Sequence, residues 1–200
     1  AVPVAEADVV PVPGADIAAV NGPRSVVLSG TADAVAEVVS RLGVTGHPLA
    51  VSHAFHSGLM DPMLAEFRRF AQVVDFAPAR IPITSTVTGA PAGDDELSSP
   101  EYWVRQVRGT VRFRDAVAAL AARGVRTFVE LGPDAVLTAL GPACLDDDAG
   151  VTFVPTLRPG RDEARDLVTA LAEAHRNGAA VDWTAFFAGA GAVDLPTYPF

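Results

Sequence analysis

The sequence has 200 residues, half of them apolar and a fifth charged, which is enough to bury a core and too apolar for a disordered chain. Its net charge of -9, with every cation an arginine or a histidine and none a lysine, leaves no basic stripe of the kind nucleic acid requires. The single cysteine, Cys144, can make neither an internal disulfide nor a structural zinc site, and no apolar run reaches the length of a membrane span, so the expected compartment is the cytoplasm.

The chain opens with β-prone residues 1–4 and 9–12, separated by acidic positions. Residues 17–29 then read as apolar run, turn at Asn21-Gly22-Pro23, apolar run, which predicts a hairpin or two adjoining strands. Thr31 is a good helix N-cap, Ala34, Val35, Val38, Val39 and Leu42 repeat at helical spacing, and Gly43 supplies a stop. Residues 48–52 return to strand character, and the order so far is that of a ferredoxin-like subdomain. Beyond His53, Leu59, Met63, Phe67 and Phe70 fall on one helical face. Residues 81–87 are β-branched and predict a strand, 91–100 a polar loop, and 102–107 and 113–122 two helices, the second closed by Gly124. Residues 125–131 predict a short buried strand, 132–134 a turn into a helix ending at Leu140, and 151–157 a further strand. Strands alternating with helices predict an α/β arrangement with parallel pairing. Residues 161–176 predict a helix with Val168, Leu171 and His175 on one face, and a loop-rich end carries Trp183, Phe186 and Phe187 as candidate aromatic anchors.

The strongest chemical signal is Val51-Ser-His-Ala-Phe-His-Ser-Gly-Leu-Met60, with two histidines three apart at an expected strand-to-helix junction. Three readings stand for the pair. Histidines at this spacing can ligate a metal, although no Glu lies between them as in His-Glu-x-x-His and no cysteine pair is near. One of them can act as an acid–base group, since an imidazole exchanges protons at neutral pH. Both can also be junction residues held by backbone hydrogen bonds. Cys144, in an apolar segment, reads as a packing residue.

The segment resembles the His-Ala-Phe-His motif of malonyl-selective acyltransferase domains in modular type I polyketide synthases. Four further segments match that family in family order: Ala19-Val-Asn-Gly-Pro-Arg-Ser-Val-Val-Leu-Ser-Gly30, Tyr102-Trp-Val-Arg-Gln-Val107, Phe128-Val-Glu-Leu-Gly-Pro133 and Asp194-Leu-Pro-Thr-Tyr-Pro-Phe200. The resemblance implies a ferredoxin-like small subdomain over 1–54, the C-terminal part of an α/β-hydrolase-like large subdomain over 55–150, and a post-acyltransferase linker over 151–200. It implies that His56 is the base that activates a serine for acyl transfer from malonyl-CoA to the phosphopantetheine thiol of an acyl carrier protein. It places the backbone carbonyl that orients His56 at Gln106, and it makes His53, Ala54 and Phe55 specificity residues, with Phe55 filling the space of an α-methyl group. No tightly bound cofactor and no metal are implied. The implied partners are the carrier protein, the ketosynthase and other synthase domains, and the N-terminal half of the acyltransferase domain.

One departure matters. The family's nucleophile lies in Gly-His-Ser-x-Gly, and no Gly-x-Ser-x-Gly occurs in these 200 residues; Ser57 beside His56 lacks both glycines. The chain is therefore expected to be a piece of a larger polypeptide, without transferase activity on its own. A methylmalonyl preference is the alternative within the same enzyme class, and a scaffold or docking segment with idle catalytic residues is the alternative outside it. A ferredoxin-like small-molecule sensor is disfavoured by the α/β segments after His53.

Overall fold

The computed structural model describes residues 1–146, 150–191, 193, 194 and 196, so most of the family-like segment that begins at Asp194 lies outside the described residues. The molecule is a mixed α/β chain in which small sheets alternate with helices. β1 (Ala15–Gly22) and β2 (Ser25–Gly30) form the expected hairpin, antiparallel and turned at Pro23-Arg24. Proline at the first turn position supplies the required φ at little entropic cost. Ala18, Val20 and Gly22 of β1 alternate into the interior.

α1 (Ala32–Leu42) starts and stops where the sequence predicts. The Thr31 hydroxyl accepts the Ala34 amide at 3.3 Å, and Gly43 ends the helix at φ +64°. Its inner face places Ala34 and Val38 against Val12, next to a second cluster of Val2, Val4 and Val26. Val26 is completely buried and exchanges two backbone bonds with Val2, at 2.8 and 3.1 Å.

The strand expected over 48–52 does not form. A strand needs a partner edge, and here the N-terminal segment takes it. Ala1 and His47 exchange bonds of 2.6 and 2.8 Å, while Val2 occupies the edge of β2. Pro48 then removes the next donor, and Leu49 and Val51 lie exposed in a loop that runs to His56. Without that strand, this stretch consists of a hairpin, a helix and a bridged N-terminal segment.

Ser57 caps a short 3-10 turn (Gly58–Met60) that leads into α2 (Asp61–Ala71). The predicted apolar face begins in the turn and is uncovered: Leu59 before the helix and Phe70 within it are 51% and 63% exposed, and only Ala71 of α2 is buried. β3 (Thr84–Ser85) and β4 (Ala90–Pro91) make a two-residue antiparallel pair, far shorter than the strand predicted over 81–87, and Pro82 interrupts that run. The predicted loop holds a single turn, α3 (Asp94–Leu97).

α4 (Pro100–Arg108) packs on α2, joined by an Arg68–Glu101 ion pair. α5 (Phe113–Ala122) matches its predicted span. β5 (Thr127–Glu130), α6 (Val136–Leu140) and β6 (Thr152–Pro155) follow, with β5 and β6 parallel and in register from Thr127 opposite Thr152. This is the predicted parallel pairing. α7 (Glu163–Arg176) is capped by Asp162, and α8 (Trp183–Phe186) closes the described fold. The buried face of α7 is Asp166, Ala170 and Ala174, a different face from that of Val168, Leu171 and His175. Ala170 and Ala174 let the helix pack against β5 and β6, while Val168 and His175 turn outward and Leu171 is half-buried. His175 instead meets Trp183 edge-on, with ring centroids 5.3 Å apart.

Gly141 shows how tight the parallel pair is. A Cβ there would stand 2.2 Å from a ring carbon of Phe153, whose ring stacks on Phe128 at 4.9 Å. Phe153 cannot swing away without losing that stack. Gly141→Ala is expected to lower the unfolding free energy by about 1–3 kcal/mol in urea titrations, and the added Gly141→Ala, Phe153→Leu pair to recover part of it.

Candidate active site

His56 stands at the end of the exposed loop with φ +60°, the only positive φ of a non-glycine residue among those described. A left-handed residue with a side chain costs about 1–3 kcal/mol and persists only where its surroundings over-determine it. The surroundings here are the chain that leaves α4. The His56 amide donates to the Val107 carbonyl at 3.0 Å. The His56 Nδ1 lies 2.7 Å from the Gly109 carbonyl. Thr110 then donates its hydroxyl to Ile17 at 2.7 Å, and Val111 exchanges bonds of 2.8 and 2.9 Å with Ala18 and Val20 of β1. Residues 107–111 therefore form a splint: one end holds the histidine and the other is zipped to a strand.

The Gly109 contact determines the tautomer. A carbonyl can only accept, so Nδ1 carries the proton and the lone pair of the neutral ring resides on Nε2. Nε2 bonds to none of the described residues.

The expectation that Gln106 supplies the orienting carbonyl is corrected by the geometry. Gln106 lies inside α4, and its side-chain amide donates to the Thr86 hydroxyl at 3.3 Å. Gly109 is extended at φ -79° and ψ 158°, past the helix end, where its carbonyl is released from the helix axis and turns to the ring. The helix stop at Arg108-Gly109 is the sequence signal that marks this position.

Ser57 is fully buried. Its hydroxyl donates to the Ala54 carbonyl at 2.7 Å and accepts the Leu59 amide at 3.3 Å, so it braces the turn on both sides of His56. Phe55 stands between the two histidines, with ring centroids 6.3 Å from each. His53 is exposed and, among the described residues, its ring bonds the neighbouring Ser52 hydroxyl at 3.0 Å. Ala54 is half-buried within the same turn.

A cavity of about 750 Å³ opens beside this turn, between the loop and the α1–β2 layer. Its wall includes Val27, Val35 and Val39 together with His53, Phe55 and His56, so it is largely apolar with imidazoles among its lining. Elsewhere, Cys144 is buried, and burial pushes its thiol up from the ordinary range; it is a packing residue as expected. No group of three or more His, Cys, Asp or Glu among the described residues is arranged to hold a metal ion.

An imidazole with one nitrogen fixed by a carbonyl and the other free beside a cavity is equipped for proton transfer to and from a nucleophile, the chemistry of a group-transfer enzyme. The chain belongs to the acyl transferase domain family, whose model matches residues 5–181. It is 53% identical over 194 residues to the polyketide synthase GfsB of Streptomyces halstedii, covering 92% of this chain and 4% of that one. Among solved structures, the acyltransferase domain from the second module of the salinomycin polyketide synthase superposes with a TM-score of 0.81 at 46% identity, covering 94% of this chain and 45% of that one. The acyltransferase domain of SpnD, in complex with 2-(pent-4-yn-1-yl)malonyl, gives 0.82 at 34% identity, over 88% of this chain and 45% of that one. The chain thus spans a small part of GfsB and a little under half of each solved domain. It is an acyltransferase domain sequence of the polyketide synthase type.

The strained turn makes two stability predictions. Asn tolerates a left-handed backbone and β-branched residues do not, so His56→Asn is expected to unfold near the parent's urea midpoint and His56→Val about 1–3 kcal/mol earlier. Ser57→Ala, which strands the Leu59 amide, should cost about 1–2 kcal/mol in the same titration.

Proposed function

We propose that this chain supplies the general base and part of the acyl pocket for malonyl transfer from malonyl-CoA to the phosphopantetheine thiol of an acyl carrier protein. The carrying observation is the fixed tautomer of His56, which leaves the Nε2 lone pair without a partner among the described residues on a side chain that lines the cavity. In the first half-reaction Nε2 takes the serine proton as the hydroxyl oxygen attacks the thioester carbonyl, and the coenzyme A thiolate leaves with that proton. In the second, Nε2 takes the proton of the pantetheine thiol as its sulfur attacks the ester, and returns it to the departing serine oxygen. The Gly109 carbonyl stabilises the imidazolium formed in each step. Nothing in this scheme needs a bound cofactor or metal.

No nucleophile segment of the Gly-x-Ser-x-Gly type occurs in the 200 residues, so the serine is proposed to come from outside them, and the chain alone to lack transfer activity. The uncovered apolar face of Leu59, Met63 and Phe70 supports a further half-domain packing on α2, as does the 45% coverage of the solved domains. The division into 1–54, 55–150 and 151–200 is proposed on the same footing. The half-exposed Phe186 and exposed Phe187, packed on Trp183, are proposed to anchor against neighbouring synthase domains such as the ketosynthase. Among the described residues no helix is long and apolar enough to cross a membrane, which suits a cytoplasmic assembly.

Malonyl selectivity rests on Phe55. Its ring stands 6.3 Å from that of His56 and lines the cavity, and it is proposed to fill the space an α-substituent would need. The SpnD domain, a relative, is seen with a substituted malonyl, so selection within this family has to come from side chains at the pocket rather than from the fold.

Intact-protein mass spectrometry tests the proposal, on a polypeptide that carries this chain together with a serine-nucleophile segment. Given malonyl- and methylmalonyl-CoA in competition, it should gain the malonyl mass and lose it when carrier protein is added. His56→Ala should slow adduct formation by about 10²–10⁴-fold, and a near-parental rate would remove His56 from the mechanism. Phe55→Ser should raise the methylmalonyl share about tenfold or more, since one methyl group in a pocket changes selectivity by about 10–200-fold.

A further inference from the structure

A charged cluster outside the imidazole's own partners grips the same turn from two other elements. Asp16 lies on β1, and its Oδ2 accepts the Gly58 amide at 2.8 Å, two residues beyond His56. Arg108, the last residue of α4, stands 3.5 Å from the same Oδ2 and donates Nε–H to Asp61 Oδ1 at 2.8 Å. Asp61 opens α2, directly after the turn that Ser57 caps. Arg108 is also bonded covalently to Gly109, whose carbonyl holds the ring.

The cluster therefore touches both ends of the His56–Gly109 contact. On one side Asp16 holds the amide that follows the histidine. On the other Arg108 sets where the Gly109 carbonyl sits. Asp16 joins the two sides directly, and it stands on the strand to which the splint is zipped. We infer that Asp16 and Arg108 are positioning residues that fix the angle and tautomer of the His56 ring. Their catalytic consequence rests on His56 being the base, but the geometric claim does not.

The exposure of these groups separates positioning from mere stability. Arg108 and Asp16 are each about one-third exposed (35% and 36%), and Asp61 is 60% exposed. Ion pairs so open to water contribute little to folding. A structural role therefore predicts small effects on everything. A positioning role predicts an effect on the ring that is out of proportion to the effect on unfolding, because small displacements of a catalytic group are costly in rate.

The test uses a polypeptide that carries this chain with a serine-nucleophile segment, labelled with ¹⁵N-histidine. Long-range ¹H–¹⁵N correlation reads the share of neutral His56 protonated on Nδ1, and kcat and KM for transfer are measured in parallel. Asp16→Ala should convert a dominant Nδ1–H form to a mixture and lower kcat about 10- to 100-fold, with little change in KM and a fall in melting temperature no larger than that of Ser57→Ala. Asp16→Asn keeps an acceptor for the Gly58 amide and should stay within about threefold of the parent. Arg108→Ala should move the tautomer in the same direction as Asp16→Ala. An unchanged tautomer and kcat in Asp16→Ala would overturn the inference. So would equal losses in Asp16→Ala and Asp16→Asn that follow the melting temperature. If the tautomer shifts in Asp16→Ala while His56→Ala retains full transfer, the positioning claim stands and the assignment of His56 as base fails.

Discussion

The structure depends on one backbone conformation, the left-handed His56. An L residue at φ +60° points its side chain where a right-handed or extended residue cannot, at the price of local strain. Each neighbouring feature serves to hold that conformation. Val107 accepts the backbone amide, Gly109 accepts the ring, Ser57 braces the turn from within, and Asp16 holds the amide two residues on. Four partners from three places in the sequence converge on five residues. A turn left to itself would relax to an extended or right-handed state and take the imidazole with it.

The splint over residues 107–111 explains why the hairpin and the helices are coupled at all. Its bonds to Ile17, Ala18 and Val20 extend the β1 edge, so the position of the Gly109 carbonyl is referred to the valine core around Val26 and Val38. That core is formed by residues before the site in sequence, whereas the carbonyl belongs to a segment about fifty residues after it. Ring orientation is therefore set by long-range packing and not by the local motif. The local motif decides only which side chains stand together: Phe55 between two histidines, and Ser57 beneath them.

Elements that carry their own punctuation were legible in the sequence. Thr31 and Gly43 bounded α1, Pro23 marked the hairpin turn, and α5 and the parallel β5–β6 pair followed from periodicity and alternation. Elements whose state depends on a distant edge were not. Residues 48–52 have strand composition, but the N-terminal segment already occupies the edge of β2, so they stay a loop. The same limit applies to the site. His56 and its neighbours were visible as a motif, because their chemistry is local. The orienting carbonyl was placed three residues too early, inside α4, because a carbonyl has no sequence identity and only the helix end reveals which one is free. Asp16 and Arg108 were not singled out at all. An acid on a strand and an arginine at a helix end are ordinary until the fold brings them to one amide and one carbonyl.

Under the proposed function, these bonds divide what is set within the chain from what a further half-domain would supply. The strain, the tautomer and the cavity are all defined by residues of this chain. By contrast, the turn before α2 and the helix itself present exposed Leu59, Met63 and Phe70, where a partner surface would replace water. Under the proposed function, a half-domain docking there need not build a base. It has only to bring a serine to an Nε2 whose direction is already determined. Pre-setting the imidazole in this way lowers the reorganisation required at the moment of transfer, because the ring cannot rotate without breaking the Gly109 bond, and the backbone cannot flip without breaking the Val107 and Gly58 bonds as well.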